Sequence, residues 1–156
     1  MTNTNKNEKA NTPETNEKFT MSTVDNTAFA VLAAGQGEPI RETTTTDTAT
    51  LFNALSGGSK PIKDVLGKEL EIVDIVVTSV DVNEDREDET SPMINRPVVH
   101  FFTANGEHYS TLSNGVVRTT KNLLACGLVP TKETPLKIKF DTVETKKGTA
   151  HIFELV

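Results

Sequence analysis

A chain of 156 residues with a formal charge of −6 holds one domain, or a smaller domain with a tail, and offers no global attraction to duplex DNA or an anionic membrane. Cys126 is the single cysteine, so no internal disulfide can form, and a reducing, cytoplasmic compartment is expected. No apolar run nears the roughly 18 residues of a membrane span, so no membrane partner is expected.

Residues 1–26 are mostly Asn, Thr, Glu and Lys, too polar to offset the entropy of ordering, and are expected to be a disordered tail. The apolar stretch 28–34 (AFAVLAA) reads as a strand, a short helix or a docking peptide for a neighbouring subunit. Residues 1–45 together form a disordered or partly ordered extension, and 46–156 the domain. The first strand is expected at 48–55 (TATLFNAL), an extra N-terminal strand stopped by Gly57-Gly58. Residues 57–60 (GGSK) resemble a phosphate loop only superficially, because the Gly-Lys-Ser/Thr order is absent. A loop or single turn at 60–68 leads to 69–82 (ELEIVDIVVTSVDV), a β-branched run apolar on both faces at its centre. Such a run suits a long strand bent around a small barrel. Glu84, Asp85, Glu87, Asp88 and Glu89 follow in an acidic loop. Asp81-Asn83-Asp85 opens like a calcium loop, but Arg86 stands where the turn needs Gly, and Pro92 where a bidentate Glu belongs.

At 97–113 (PVVHFFTANGEHYSTLS) two β-prone runs flank Asn105-Gly106, which predicts a two-residue type I′ hairpin with Phe102 opposite Tyr109. Period two then puts Val99, Phe101 and Leu112 on a core face and His100, Phe102, Tyr109 and Thr111 on the other. The second face is a flat aromatic and polar strip. It suits stacking of unpaired bases, though the hairpin alone favours a buried Phe102–Tyr109 cross-strand pair. Residues 114–126 have helical spacing, with Ser113 as N-cap and Gly127 as stop. Residues 135–143 alternate Leu136, Ile138 and Phe140 inward with Lys137 and Lys139 outward. A turn at 145–148 and a closing strand at 149–156 end the chain.

From 69 onward this order is five strands with one helix between the third and fourth. The expected fold is therefore all-β with one helix, an OB-fold-like five-stranded Greek-key barrel. In that fold the second and third strands form the binding platform, which favours an outward Tyr109. Residues 97–156 hold seven Lys/Arg against five Asp/Glu. Arg118, Lys121, Lys132, Lys137, Lys139, Lys146 and Lys147 are candidates for a backbone-tracking rim, or simply a solvated face.

Three blocks, TATLFNALSGG, FFTANGEHYSTLS and PLKIKFDTVETKKGTAHIFEL, occur in this order with an amphipathic segment after the second. In this respect the chain resembles the small single-stranded-DNA-binding proteins of protein-primed tailed bacteriophages that infect Gram-positive hosts. The resemblance covers about two-thirds of the chain. It implies an abundant replication protein that coats and protects displaced strands, with single-stranded DNA as ligand, no cofactor, and the replicative polymerase as a candidate partner. It also implies a binding role for Tyr109, and homo-oligomerisation is a candidate role for the N-terminal extension. Where further upstream tyrosines are expected in that family, this chain has acidic residues.

An enzyme is not expected. His100, His108, His151 and Cys126 lack metal-ligand spacing, no nucleophile motif is present, and the paired carboxylates sit in one loop. A protein-binding module on the same barrel, or an RNA-binding cold-shock-like barrel, remains open from residues alone.

Overall fold

The computed structural model describes residues 40–156. The expected tail at 1–26 and the apolar stretch at 28–34 lie outside the described residues. Seven strands and two helices follow in order: β1 (Ile40–Thr43), α1 (Thr48–Ser56), β2 (Lys60–Pro61), β3 (Glu69–Asn83), β4 (Met93–Thr103), β5 (His108–Thr111), α2 (Asn114–Ala125), β6 (Leu136–Thr145) and β7 (Gly148–Leu155). A 3₁₀ turn, Ile62–Val65, links β2 to β3.

All strands join one sheet in the order β2-β5-β4-β3-β6-β7, with β1 on β3. The sheet is curled but open, a half-barrel consistent with an OB-like all-β fold. The expected OB-like fold stands, with its barrel left open: β5 gives its outer edge to β2, and α2 spans the remaining gap to β7. The helix sits very close there. A Cβ added to Gly115 would lie 2.3 Å from the His151 carbonyl oxygen, and the Ser113 hydroxyl donates to that same oxygen at 3.2 Å. Glycine at 115 is therefore a packing requirement of the β7 junction.

The long strand is as expected, and its bend has a cause. Ile72 pairs with Thr103 but Asp74 pairs with Phe102, so Val73 is an extra residue, a bulge that turns the strand. Before the bulge β3 pairs with β6, and after it the same edge pairs with β1. Thr44 follows β1, and its hydroxyl accepts the Ile75 N–H at 2.7 Å. Both faces of β3 are apolar because each covers a separate core. Ile72, Ile75 and Val77 join Val99, Phe101, Ile138, Phe140 and Phe153 in the main cluster. Phe101, Phe140 and Phe153 meet edge to face with centroids 5.1–5.8 Å apart. On the reverse side Val76 packs with Ile40, Leu51 and Ala54.

Residues 48–55 form a helix rather than the expected strand, so the described residues hold two helices. Asp47 caps α1, accepting the Thr50 N–H at 3.3 Å and its hydroxyl at 2.7 Å. Leu51 and Ala54, three apart, are its buried residues, and Gly57 ends it at φ +81°. The extra N-terminal strand is instead Ile40–Thr43. The second helix stands where expected and ends in a Schellman arrangement. Gly127 N–H donates to Leu124 O, and Leu128 N–H to Leu123 O.

Candidate nucleic-acid interface

The β4–β5 hairpin carries the site, and its turn decides which residues face outward. No non-glycine residue among those described has positive φ, so Asn105 cannot take its place in a type I′ turn. The loop is instead Ala104-Asn105-Gly106. Gly106 N–H donates to Thr103 O at 3.0 Å, Thr103 N–H donates to Glu107 O at 2.9 Å, and Gly106 sits at φ +84°. That is a type I turn with a glycine bulge, one residue longer than expected. The register becomes Phe101 opposite Tyr109 and Phe102 opposite His108.

A one-residue slip reverses every side chain of β5. Tyr109 therefore lies on the core face with its ring buried, 3% exposed, and its expected outward placement is corrected. The hydroxyl reaches the rim and donates to Glu107 Oε2 at 2.6 Å. This bond, with burial, pushes the phenol up to about 12. Lys60 donates to the other oxygen of Glu107 at 2.8 Å, and chiefly through that bond, then Tyr109, holds the carboxylate below its usual range.

On the outward face Phe102 stacks on His108, centroids 4.3 Å apart and planes 15° from parallel. Phe102 is half-buried, leaning on the Leu51–Ala54–Val76 cluster. His100 lies on the same face but is only 5% exposed, so it cannot itself receive a base. Its two nitrogens are spent within the protein: Nε2 bonds to the Thr78 hydroxyl and Nδ1 to His108 Nε2, each at 2.8 Å. Burial, helped by the neighbouring imidazole, lowers His100 to about 4, and burial lowers His108 as well. Both rings are thus neutral at pH 7 and form a fixed chain, Thr78–His100–His108, that props the stacked pair.

Beside that pair opens a cleft of about 490 Å³ between α1 and the hairpin tip, lined by Thr50, Asn53, Asp74, Phe102, Glu107 and Lys132 among others. Asp74 is 8% exposed there. Burial raises its carboxyl to about 6, against the lowering effects of Lys132 and the Thr45 hydroxyl.

The expected cations divide into three places. Lys137 and Lys139 lie on β6, alternating with buried Ile138 and Phe140, and face Glu71 and Glu69 across the β3 pairing. Lys137 reaches Glu71 at 4.0 Å, with both side chains about half exposed. Lys146 and Lys147 are exposed at the β6–β7 turn, which lies toward the same end of the sheet as the β4–β5 tip. Arg118 is exposed on α2, whose buried residues belong to the main core, so it lies across the sheet from Phe102. The acidic loop after β3 lies at the opposite end of that strand from the β6 lysines and the β6–β7 turn. Its anchor, Asn83, is roughly 36 Å along β3 from Ile72 at about 3.3 Å per residue. That loop is tied by its own bonds, Asn83 donating to Glu89 O and Ser91 O, and among the described residues no acidic or histidine cluster could hold a metal. Nor is any helix among them long and apolar enough to cross a membrane.

Phe52 and Asn53 on α1, and Asp74 and His108 in the sheet, are not marked by the sequence pattern. Phe52 is the most exposed aromatic ring among the described residues, 68% open on α1 next to Asn53. The signal that could have placed the first two is the Asp47 cap before Leu51, Ala54 and Leu55 at helical spacing.

The family model described as phage single-stranded DNA-binding protein matches residues 38–155. Comparison with curated proteins and with solved structures gives no match. The match takes in the hairpin, the cleft and the cationic strand together, and the chain belongs to the phage single-stranded DNA-binding protein family.

Proposed function

We propose that the protein coats single strands displaced during phage DNA replication in the host cytoplasm, without sequence preference along most of the bound strand. The observation that carries this is the outward Phe102–His108 stack, held by buried His100 and open to a cleft. Stacking on an aromatic face tolerates any base and contributes about 1–3 kcal/mol per base. Phe52 offers a second ring on α1, while Lys132, Lys137, Lys139, Lys146 and Lys147 track the backbone. Tyr109 and His100 act from beneath, as supports, and Arg118 lies outside the path. The role is binding, with no catalytic step.

With few cations and partnered lysines, affinity per protomer is modest and strongly salt-dependent. The N-terminal extension, residues 1–45, serves in self-association or in contact with the replicative polymerase.

The test is fluorescence anisotropy of a labelled dT oligonucleotide at low and moderate salt, with a duplex control and the variant Phe102→Leu. Leucine keeps apolar packing against α1 but removes the π-face. The expected result is salt-sensitive binding to the single strand, weakened about 5- to 150-fold in the variant, the equivalent of about 1–3 kcal/mol. Equal binding of duplex and single strand, or an unaffected variant, overturns the proposal.

A further inference from the structure

Asp74 is an oddity on a face otherwise suited to any base. It is a carboxylate 8% exposed, and among the described residues it makes no ion pair. Its side chain lines the cleft that also contains the Phe102 ring, the Asn53 amide and Lys132. The volume, about 490 Å³, falls in the range of small-ligand pockets, about 300–1,000 Å³. The Lys132 charge and the Thr45 hydroxyl offset the burial of this carboxylate only in part, which makes a ligand donor its natural complement.

We infer that this cleft is a nucleobase pocket that selects guanine, with Asp74 accepting from the guanine Watson–Crick edge while the ring packs beside Phe102. The inference rests on the proposed single-strand binding and names a base-selective subsite within it. The chemistry is a matter of donor count. An ionised carboxylate only accepts, and it can accept two hydrogen bonds side by side. Guanine alone among the DNA bases presents two neighbouring donors on that edge, N1–H and the N2 amine. Adenine and cytosine offer one amine beside an acceptor nitrogen that a carboxylate repels. Thymine offers one N–H between two carbonyls. Asn53, carrying both donor and acceptor, suits the remaining polar atoms of the base, and Lys132 suits the adjoining phosphate. The protein would then cover any single strand but settle in the register that places a guanine in the cleft.

The test compares three labelled oligonucleotides of equal length: all-dT, dT with one internal dG, and dT with deoxyinosine at that position. Inosine keeps N1–H and O6 but lacks the N2 amine. Wild-type protein should bind the dG oligonucleotide about tenfold more tightly than all-dT, within the span of one bidentate contact. Inosine should recover only part of that gain. Asp74→Asn should erase the preference, so that the variant binds the dG and all-dT oligonucleotides equally, and its melting curve confirms the fold. Equal affinity of wild type for dG and all-dT overturns the inference while the coat-protein function stands. Retention of the preference in Asp74→Asn likewise overturns it. The inosine comparison needs no variant, and full affinity for inosine overturns the two-donor contact. Absence of binding to every oligonucleotide overturns the proposed function and this pocket with it.

Discussion

The two faces of the β4–β5 hairpin share a backbone and differ in what their aromatic rings do. On one, Phe101 and Tyr109 are enclosed, Phe101 meeting Phe140 and Phe153 edge to face at full burial. On the other, Phe102 and His108 lie nearly parallel, partly open, on a hydrogen-bonded prop. Enclosure spends a ring's surface on stability, whereas an open stacked ring keeps surface for a ligand. A single loop residue decides the allocation, since the alternative register would exchange Tyr109 for His108. The comparison therefore makes opposite demands on neighbouring residues, and these can be broken experimentally.

The largest expected effect is on the enclosed side. Tyr109→Ala empties a core position and should cost about 3–5 kcal/mol of stability, read by denaturant unfolding. Tyr109→Phe, losing only the bond to Glu107, should cost about 1 kcal/mol. Single-strand affinity of the Phe variant should match wild type at temperatures where both are folded. If Tyr109→Ala instead melted like wild type and lost only DNA binding, the tyrosine would face outward and the three-residue loop would be wrong.

The outward face carries a second, smaller contrast, between two buried titratable groups with opposed pH dependence. His100 is lowered from 6.5 to about 4 in the fold. As pH falls from 6.5 to about 4 the unfolded chain takes up a proton that the folded chain refuses, so this group removes stability on acidification. His108, also lowered, acts in the same direction. Asp74 is raised from 3.8 to about 6, among Lys132, Asp47 and Glu133. Between about 6 and 3.8 the folded chain holds a proton the unfolded chain has released, so this group adds stability on acidification. Each effect is on the order of 2–3 kcal/mol at full titration, and in wild type they largely offset. Asp74→Asn should therefore leave stability falling steeply from pH 6.5 to 4, and raise it at pH 7. His100→Gln should turn the slope the other way over pH 6 to 4. Chemical unfolding at closely spaced pH values measures both, and parallel profiles for the two variants would contradict the opposed burial of these groups.

How much of this was legible follows the physics of each element. Strands β3, β6 and β7 were readable because burial imposes period two or continuous β-branched runs, and α2 because its apolar positions recur with a glycine stop. Helix α1 was not, because the β-prone threonine run at 43–46 leads directly into it, and its helix depends on one Asp47 cap and the Val76–Ile40 surface it covers. The hairpin was found and its register was not. Asn-Gly supports both a two-residue and a three-residue loop, and the choice here lies in Thr103, whose hydroxyl accepts the Glu107 N–H at 3.0 Å. The cleft was invisible for a different reason: Asn53, Asp74 and Lys132 come from three segments that only the fold brings together.

The smallest expected effect separates the cations. Lys137 and Lys139 stand opposite Glu71 and Glu69, so part of their charge is already neutralised before any phosphate arrives. Lys146 and Lys147, exposed at the β6–β7 turn, are in no ion pair among the described residues. A lysine that neutralises a phosphate releases a counterion, so removing one such contact on a single strand lowers the slope of log affinity against log salt by about 0.7. The variant Lys146→Ala/Lys147→Ala should flatten that slope by up to about 1.4 with little change in stability or base preference. Lys137→Ala should flatten it less, because Glu71 already neutralises part of that charge before the strand binds. An unchanged slope in the double variant would place the strand's path away from the β6–β7 turn, confining it to the cleft and the Phe102 face.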